Sequence, residues 1–220
     1  MAKPSIAPPF TGFPADARAW FRGLEANNNR DWFQENRSTY DRCIRQPLES
    51  LLAELEKLGE GKVFRPNRDT RFAKDKSPYK TNAAATIPRP GGSYYIHVDA
   101  DQVYVGAGSY HFDRGQLARY RAAVDAPKSA ATLDRAIVKV TAAGLEPNGH
   151  SLSGVPRGYA KDHPRIELLR WTGLIGGVAH PWAKWVSTAA AKDRIVSEWK
   201  AVDPLLRWID QHVGRPDGWG

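Results

Sequence analysis

The chain has 220 residues, 41% of them hydrophobic and eight of them tryptophan, which is enough apolar material to bury a sizeable core. Its single cysteine excludes an intramolecular disulfide and any metal site built from several cysteines. No apolar run approaches the roughly 18 residues of a membrane-spanning helix, and the first residues lack the apolar core of a signal peptide, so we expect a cytoplasmic protein without membrane contact. The formal net charge of +8 can favour anionic partners through long-range attraction, and it is equally consistent with a compositional bias towards Arg, Ala and Gly.

The N-terminal part of the chain has the apolar periodicity of helices. A stripe that includes Trp20 and Leu24 predicts a first helix over Pro14 to Ala26. Three asparagines form a short connection, and a second helix is expected from Arg30 to Leu58. Pro47 should break or kink this second helix, because proline lacks an N–H donor and its ring clashes with the preceding turn.

The middle of the chain alternates apolar and polar residues, which is typical of antiparallel strands with one buried face. Asp99-Ala100-Asp101 is suited to a hairpin turn. The expected strands are Lys62–Phe72, Ala83–Ile87, Ser93–Asp99 and Gln102–Gly108.

Helical patterns return in the C-terminal half. A last long helix is expected to begin near Trp182, with a restart at Asp203-Pro204. The elements expected before it are helices over Gln116–Ala126 and Ser129–Ala143, a loop over Leu145–Pro156, and a helical turn followed by a strand within Glu167–Val178.

These elements predict an α+β fold in which a small, mostly antiparallel sheet is covered by several helices. No repeat or low-complexity linker interrupts the chain. We therefore expect a single domain over residues 13–213, with a flexible N-terminal tail over 1–12 and a C-terminal tail over 214–220. The sequence makes no prediction of the oligomeric state.

Positive charge is concentrated in one stretch. Between Lys62 and Lys80 there are seven basic residues against two acidic ones, a local excess of five positive charges. Within that stretch lies the run Arg68-Asp69-Thr70-Arg71-Phe72-Ala73-Lys74-Asp75-Lys76-Ser77-Pro78-Tyr79-Lys80. We call the segment Arg68 to Lys80 the basic motif.

The basic motif resembles the hallmark of a widespread, mainly bacterial and fungal family of conserved proteins of unknown function. The resemblance extends over roughly Phe10 to Pro204 and implies one domain of α+β type, with no established activity, cofactor or catalytic residue. Other segments match in order: Phe13-Pro14, Asn27–Phe33, Tyr94–His97, Gly106–Tyr110, Pro156–Tyr159 and Asp162–Pro164.

The residue types of the basic motif suit anion binding. Guanidinium groups hold phosphate or carboxylate through paired hydrogen bonds, and lysine adds a mobile point charge. Ser77-Pro78 predicts a turn that presents Tyr79 and Lys80 together. The candidate ligand-binding residues are Arg68, Arg71, Lys74, Lys76, Tyr79, Lys80 and Arg157.

The same arginines fit a structural interpretation equally well. If Arg68 to Phe72 is a strand, Arg68 and Arg71 point to opposite faces, one of which is buried. At least one of the two should then be largely buried and paired with a carboxylate. The nearest candidate partners are Asp69, Asp75, Asp31 and Glu35.

No complete catalytic pattern accompanies the motif. His97 and His111 could act as acid or base if their strand ends converge, and Tyr79 is a third catalytic candidate. Gly106-Ala107-Gly108 lacks the third glycine of a dinucleotide fingerprint, so no cofactor is expected. Neither histidine spacing nor carboxylates suggest a metal site.

Three functions therefore remain open from sequence. The favoured one is binding of, or catalysis on, a small anionic molecule that carries phosphate or carboxylate. The second is a nucleic-acid-binding module with Phe72, Tyr79 and Trp32 as stacking groups, for which we expect only weak binding. The third is a structural or protein-interaction domain in which the motif maintains the architecture.

Overall fold

The structure is a computed structural model that describes residues 7–71 and 74–217. The helices are α1 (Ala15–Ala26), α2 (Arg30–Glu35), α3 (Arg37–Tyr40), α4 (Gln46–Glu54), α5 (Arg114–Asp125), α6 (Pro127–Ala142), α7 (Ile166–Arg170), α8 (Ala190–Ala201) and α9 (Asp203–His212). The strands are β1 (Lys62–Val63), β2 (Asn82–Arg89), β3 (Gly92–Asp99), β4 (Gln102–Ser109), β5 (Glu146–Asn148) and β6 (Leu174–Pro181). Short helical turns are the π-helical turn Asp41–Arg45 and the 3₁₀ turns Glu56–Leu58 and Lys184–Ser187.

The sheet is antiparallel, with the strand order β1-β2-β3-β4-β6-β5. Tight turns connect β2 to β3 and β3 to β4, and the second of these is the predicted turn at Ala100 and Asp101. Along β3, Tyr94, Ile96 and Val98 are buried while the residues between them are half-buried. The sheet and its helices confirm the predicted α+β class.

The helix predicted from Arg30 to Leu58 is divided into α2, α3, a π-helical turn and α4, followed by a 3₁₀ turn. The side chain of Asn29 accepts a hydrogen bond from the Trp32 amide at 2.9 Å and starts α2. Pro47 stands in the first turn of α4, directly after the π-helical turn, in which the Gln46 amide donates to the Asp41 carbonyl five residues back. The wide turn ends just before the proline and lets the helical path continue. The predicted disturbance at Pro47 is therefore confirmed.

The chain divides into two compact units. Unit 1 comprises residues 1–87, 95–104 and 179–196, and unit 2 comprises residues 88–94, 105–178 and 197–220. The core of unit 1 includes Phe21, Ile44 and Leu48, each without exposed surface. In unit 2, Tyr94 stacks on Trp199 with ring centroids 5.2 Å apart. The assignment of residues 13–213 to one domain stays a prediction.

The predicted strand Lys62–Phe72 is wrong beyond Val63. An isolated bridge joins Asn67 to Tyr79, and the stretch from Arg68 to Arg71 is irregular. The side chain of Asp69 accepts a hydrogen bond from the Arg71 amide, which offers the backbone a local alternative to a sheet ladder. Phe72 and Ala73 lie outside the described residues.

Two C-terminal predictions also need correction. The predicted loop Leu145–Pro156 contains β5, whose three residues pair with β6 through Glu146, Pro147 and Asn148. The last helical segment begins at Ala190 rather than near Trp182, because Thr188 is extended and separates α8 from the preceding 3₁₀ turn. The restart at Asp203-Pro204 is confirmed as the beginning of α9.

The predicted tails are 1–12 and 214–220, of which residues 1–6 and 218–220 lie outside the described residues. In the described part of the N-terminal tail, Phe10 is buried, and its ring lies edge-on to Phe13 at 5.5 Å. In the described part of the C-terminal tail, Asp217 accepts a hydrogen bond from Arg119 and donates its amide to Asp113. The two tail boundaries stay predictions. Within the described residues, no helix is both long and apolar enough to cross a lipid bilayer.

Candidate functional site

The first half of the basic motif is a loop that satisfies its own charges. Arg68 forms an ion pair with Asp75, and Arg71 pairs with Asp69 at 2.7 Å. The Lys76 ammonium donates to the Thr70 carbonyl at 2.9 Å. Hydrogen bonds from the Ser77 hydroxyl and amide lower the pKa of Asp75, and the side chain of Arg71 lowers the pKa of Asp69. The loop therefore uses several of its cations to hold its own conformation.

The two arginines differ in burial as well as in partner. The Arg68 side chain is 28% exposed and pairs with Asp75, as expected for at least one of the two, whereas the Arg71 side chain is 77% exposed. Their carboxylate partners come from the same loop, as Asp69 and Asp75, and not from the helical residues Asp31 or Glu35. The reason is that the segment is not a strand, so strict alternation between two faces does not apply.

The end of the basic motif is fixed to the N-terminal helices of unit 1. The amide side chain of Asn28 donates to the Tyr79 carbonyl at 3.0 Å and accepts from the Tyr79 amide at 3.1 Å. The buried ring of Tyr79 stacks on Phe33 with centroids 4.0 Å apart. This pair of hydrogen bonds connects the asparagine-rich segment and the basic motif, the two most distinctive parts of the sequence.

A concavity of about 400 Å³ opens beside this junction, entirely within unit 1. A smaller concavity of about 170 Å³ adjoins it and shares Tyr40, Arg45 and Pro66 with it. We call the larger one the basic cleft. Its lining residues are Tyr40, Arg45, Lys62, Val63, Phe64, Arg65, Pro66 and Lys80.

Four cations and no carboxylate are found among the described residues that line the basic cleft. Arg45 forms an ion pair with Glu49 at 2.8 Å, and this carboxylate raises the pKa of the guanidinium. For Lys62, Arg65 and Lys80, no ion pair occurs within the part of the chain that the structure describes. Three of the four cations that line the cleft are therefore without an ion pair among the described residues, while Arg45 is paired with Glu49 and Arg65 interacts electrostatically with Asp69.

The π-helical turn explains how two of the lining side chains reach the cleft together. Tyr40 and Arg45 are five residues apart, which in an α-helix would place them about 140° apart around the axis. The hydrogen bond from the Gln46 amide to the Asp41 carbonyl widens this turn by one residue. Residues five apart then lie nearly one above the other, so both Tyr40 and Arg45 line the cleft.

Tyr40 is a buried residue among those that line the cleft, and its hydroxyl is a potential hydrogen-bond donor. Its side chain is buried, and this burial raises the pKa of its hydroxyl to about 12. The phenol therefore stays protonated at neutral pH. A protonated phenol can donate to an oxygen atom of a bound anion without adding negative charge to the site.

Lys80 and Arg65 are held close to each other at the mouth of the cleft. The Lys80 ammonium lies 3.4 Å from the Arg65 carbonyl oxygen and 5.7 Å from the centroid of the Phe64 ring. The Lys80 amide also donates to the Pro66 carbonyl at 2.9 Å. These bonds connect the end of the basic motif with the segment that follows β1.

The structure brings only part of the predicted site into this cleft. Lys80 lines the basic cleft and Tyr79 lines the smaller concavity. The other predicted ligand-binding residues are not among the residues that line these two concavities: Arg68, Arg71, Lys74, Lys76 and Arg157. Arg157 is exposed in unit 2, in the segment between β5 and α7.

Sequence reasoning missed three of the four cations. Lys62 and Arg65 fall within the stretch of local positive charge, so their charge was visible although their position was not. Arg45 is far away in sequence and reaches the cleft only through the packing of the helices of unit 1. No sequence signal that we can identify points to it.

The catalytic candidates lie in different surroundings. His97 is half-buried on β3, stacks on Tyr104 with centroids 5.2 Å apart, and lies 3.6 Å from the Asp99 carboxylate. Burial lowers the pKa of His97, and Asp99 opposes this shift. His97 belongs to unit 1 and the exposed His111 to unit 2, so their convergence stays a prediction.

The remaining candidate side chains for catalysis or metal binding have structural surroundings. Cys43 is fully buried, and desolvation raises the pKa of its thiol, as expected for a packing residue. The ring of His163 accepts a hydrogen bond from the Arg165 amide at 3.1 Å, and its other nitrogen lies 3.0 Å from Asp125, so this histidine fixes a turn. Within residues 7–71 and 74–217, no three histidine, cysteine or acidic side chains are grouped to hold a metal ion.

Comparison with known proteins adds one finding. The family model described as conserved hypothetical protein (DUF2461) matches residues 16–208. This range includes the basic motif, every residue that lines the basic cleft, and most of both units. No curated protein matches the chain.

Proposed function

We propose that this chain, which belongs to the DUF2461 family of conserved hypothetical proteins, binds a small anionic molecule in the basic cleft. Membership of this family assigns no activity, so the proposal rests on the cleft itself. The observation that carries it is the arrangement of Arg45, Lys62, Arg65 and Lys80 around one concavity without a lining carboxylate among the described residues.

The chemistry of the cleft suits phosphate or carboxylate. A guanidinium can form two parallel hydrogen bonds to such a group, and an ammonium adds a donor that adjusts to the position of the ligand. The protonated hydroxyl of Tyr40 provides a further potential donor. Partial enclosure strengthens each of these interactions relative to open solvent.

Binding accounts for the cleft with fewer assumptions than catalysis. Among its described lining residues there is no histidine, cysteine or carboxylate to serve as a nucleophile or general base. The self-paired loop of the basic motif supports a structural role for Arg68 and Arg71. Ligand binding in this proposal therefore falls to the cleft cations, with only Lys80 taken from the motif.

A thermal-shift screen tests the proposal with phosphate, sulfate, citrate and sugar phosphates at constant ionic strength. A ligand at 100 times its Kd should stabilise the folded state by about 2.7 kcal/mol through mass action. The proposal predicts a rise in Tm with at least one of these anions. If none of them raises Tm, anion binding in the cleft is refuted.

Arg42 provides a matched control for Arg45. Both side chains come from the π-helical turn, both are more than half exposed, and each forms one surface ion pair, with Asp16 and Glu49 respectively. Only Arg45 lines the basic cleft. We expect R45Q to weaken anion binding at least about tenfold, which corresponds to 1.4 kcal/mol, and R42Q to leave it unchanged. Equal losses in the two variants would indicate a general charge effect.

A further inference from the structure

Phe64 is an unusual side chain for its position. It is 36% exposed, and within the described residues of unit 1 it is the one large hydrophobic side chain with that much open surface. A single exposed aromatic residue is by itself ordinary. This one, however, lines the basic cleft together with Lys62, Arg65 and Lys80.

The immediate neighbours of Phe64 define what could cover its ring. Its own amide donates to the Ala84 carbonyl at 2.9 Å, so the backbone that carries the ring is anchored to β2. The Lys80 ammonium lies 5.7 Å from the ring centroid, close enough for a cation–π interaction. The ring of Phe64 and the ammonium that lies over it are therefore both within reach of one small molecule, whose flat group would pack on the part of the ring that Lys80 leaves open.

We infer that the ligand of the basic cleft is a phosphate ester that carries a flat aromatic group, of the class of nucleoside monophosphates, whose ring packs on Phe64. This inference rests on the proposed anion site and specifies its ligand. The phosphate lies among Lys62, Arg65, Lys80 and Arg45, and the aromatic group covers the exposed face of Phe64.

Two features favour a phosphate over a single carboxylate. Three of the cations that line the cleft, Lys62, Arg65 and Lys80, have no ion pair within the described chain, so a ligand of higher charge is better matched. A phosphate monoester carries a charge of about −1.5 to −2 near neutral pH and presents three acceptor oxygens. A monocarboxylate carries one negative charge and would balance less of the positive charge of the cleft.

The size of the cleft favours a single nucleotide over a polymer. Ligand sites for small molecules typically have volumes of about 300–1,000 Å³, and the basic cleft has about 400 Å³. Proteins that hold single-stranded nucleic acids present successive aromatic side chains along a charged groove. Among the described residues that line the basic cleft, Phe64 is the exposed ring that accompanies the cations.

Calorimetric titration tests the inference with four ribonucleoside monophosphates, ribose 5-phosphate and inorganic phosphate. Base–aromatic stacking should make at least one nucleotide bind about 5- to 150-fold more tightly than ribose 5-phosphate. F64A should remove this advantage while leaving the affinity for ribose 5-phosphate unchanged. F64L retains apolar bulk without a flat ring, and it should lose most of the same advantage.

Different binding results would refute the stacking inference and the proposed anion binding. Equal affinities for ribose 5-phosphate and every nucleotide would overturn the stacking inference and leave anion binding intact. The same holds if F64A and F64L, checked for wild-type circular dichroism, bind nucleotides as the wild type does. Phenyl phosphate and benzoate are titrated in the same way, and benzoate binding as tightly as phenyl phosphate would overturn the phosphate class. No binding of any phosphate compound would refute the proposed function itself.

Discussion

Asn28 and Tyr79 exchange two hydrogen bonds across 51 residues of sequence, and the bonds are partly buried. The amide of Asn28 presents a donor and an acceptor in the way that a neighbouring strand would. In N28D the donor is lost, and a carboxylate faces the Tyr79 carbonyl. We expect the free energy of unfolding to fall by about 1–3 kcal/mol, because a partly buried carbonyl loses its partner. Urea denaturation measures the loss.

The preceding residue supplies the control for this change. Asn27 is exposed, and its side chain donates to the Gly23 carbonyl at 3.1 Å within the end of α1. N27D makes the same chemical replacement without touching Tyr79. Its loss of stability should be clearly smaller, and equal losses in N27D and N28D would contradict the special role of the Asn28–Tyr79 pair.

His97 gives the folded protein a specific dependence on pH. Burial lowers its pKa in the folded state, so the unfolded chain binds the proton more readily. The stabilisation is complete above the unfolded pKa of about 6.5 and is lost as pH falls from there through the lower folded pKa. One proton changes the free energy of unfolding by at most about 1.4 kcal/mol per pH unit. H97Q should therefore lose less stability than the wild type between pH 7 and pH 5.

Asp99 provides a test of the direction of the pKa shift of His97. Its charge acts against the effect of burial on the pKa of His97. D99N keeps the oxygen that accepts hydrogen bonds from the Asp101 and Gln102 amides but removes the charge. The loss of stability between pH 7 and pH 5 should become steeper in D99N. In the double variant with H97Q, the part of this loss that comes from His97 should disappear. Identical slopes for the wild type and H97Q would exclude His97 as the origin.

The turn between β2 and β3 depends on one glycine that is pressed against α9. Gly91 has a φ of +80°, and a Cβ atom there would lie 2.0 Å from the Leu206 carbonyl oxygen. In G91A the left-handed backbone and the overlap with α9 both oppose folding. We expect a loss of about 2–5 kcal/mol in urea denaturation, which is the left-handed penalty plus the cost of overpacking.

Gly144 separates these two contributions. It has the same φ of +80°, and nothing lies within 4 Å of its hypothetical Cβ. G144A should therefore show only the left-handed penalty of about 1–2 kcal/mol. If G91A and G144A cost the same, the contact between the hairpin turn and α9 is looser than the structure indicates.

Helices and strands with a strong periodic pattern were predictable, because the pattern lies within the element itself. The alternating residues of β3 and β4 and the apolar stripe of α1 each contain enough information to define their own structure. The segment after Val63 has β-compatible residues, but its described part forms only the single bridge Asn67–Tyr79. The Arg68 amide donates to the Pro78 carbonyl beside this bridge, and the Arg71 amide donates to the Asp69 side chain. Tertiary and side-chain hydrogen bonds decided its structure, and periodicity cannot reveal them.

The sequence predicted that the candidate site is basic, but it did not predict which residues line it. Local charge located a basic region, and Lys80 within it does line the cleft. The arginines that looked most distinctive, Arg68 and Arg71, are paired within their own loop. Arg45 comes from a helical turn distant in sequence, and Phe64 stays exposed after folding, so a three-dimensional structure was needed to find both.

At the scale of the whole molecule, a net charge of +8 predicts some attraction to nucleic acids. We expect binding to be weak, without sequence preference, and to fall steeply between 50 and 200 mM salt, because phosphate contacts release counterions. An electrophoretic retardation assay with single- and double-stranded DNA and RNA measures this. Submicromolar binding near physiological salt would contradict the prediction.

The cleft variants show whether such binding shares the small-molecule site. A double variant, R65Q and K80Q, removes two cations of the basic cleft and leaves the remaining positive surface in place. Weak nucleic-acid binding should change only slightly, whereas binding of phosphate compounds should be lost. A complete loss of nucleic-acid binding in this variant would place the polymer in the cleft.

The π-helical turn at Asp41–Arg45 sets the angular phase of the helical path. It adds one residue to a turn, and each residue of an α-helix advances the side chains by about 100°. If this turn closed to a regular α-helix with all its residues kept, Tyr40 and Arg45 would lie about 140° apart around the axis and could no longer share a face. Removing one residue together with the wide turn would leave them four residues apart, about 40° around the axis, and so again on one face. The wide turn and the number of residues between Tyr40 and Pro47 are therefore linked: a related chain that lacks the wide turn should have one residue fewer there if both side chains still line the cleft.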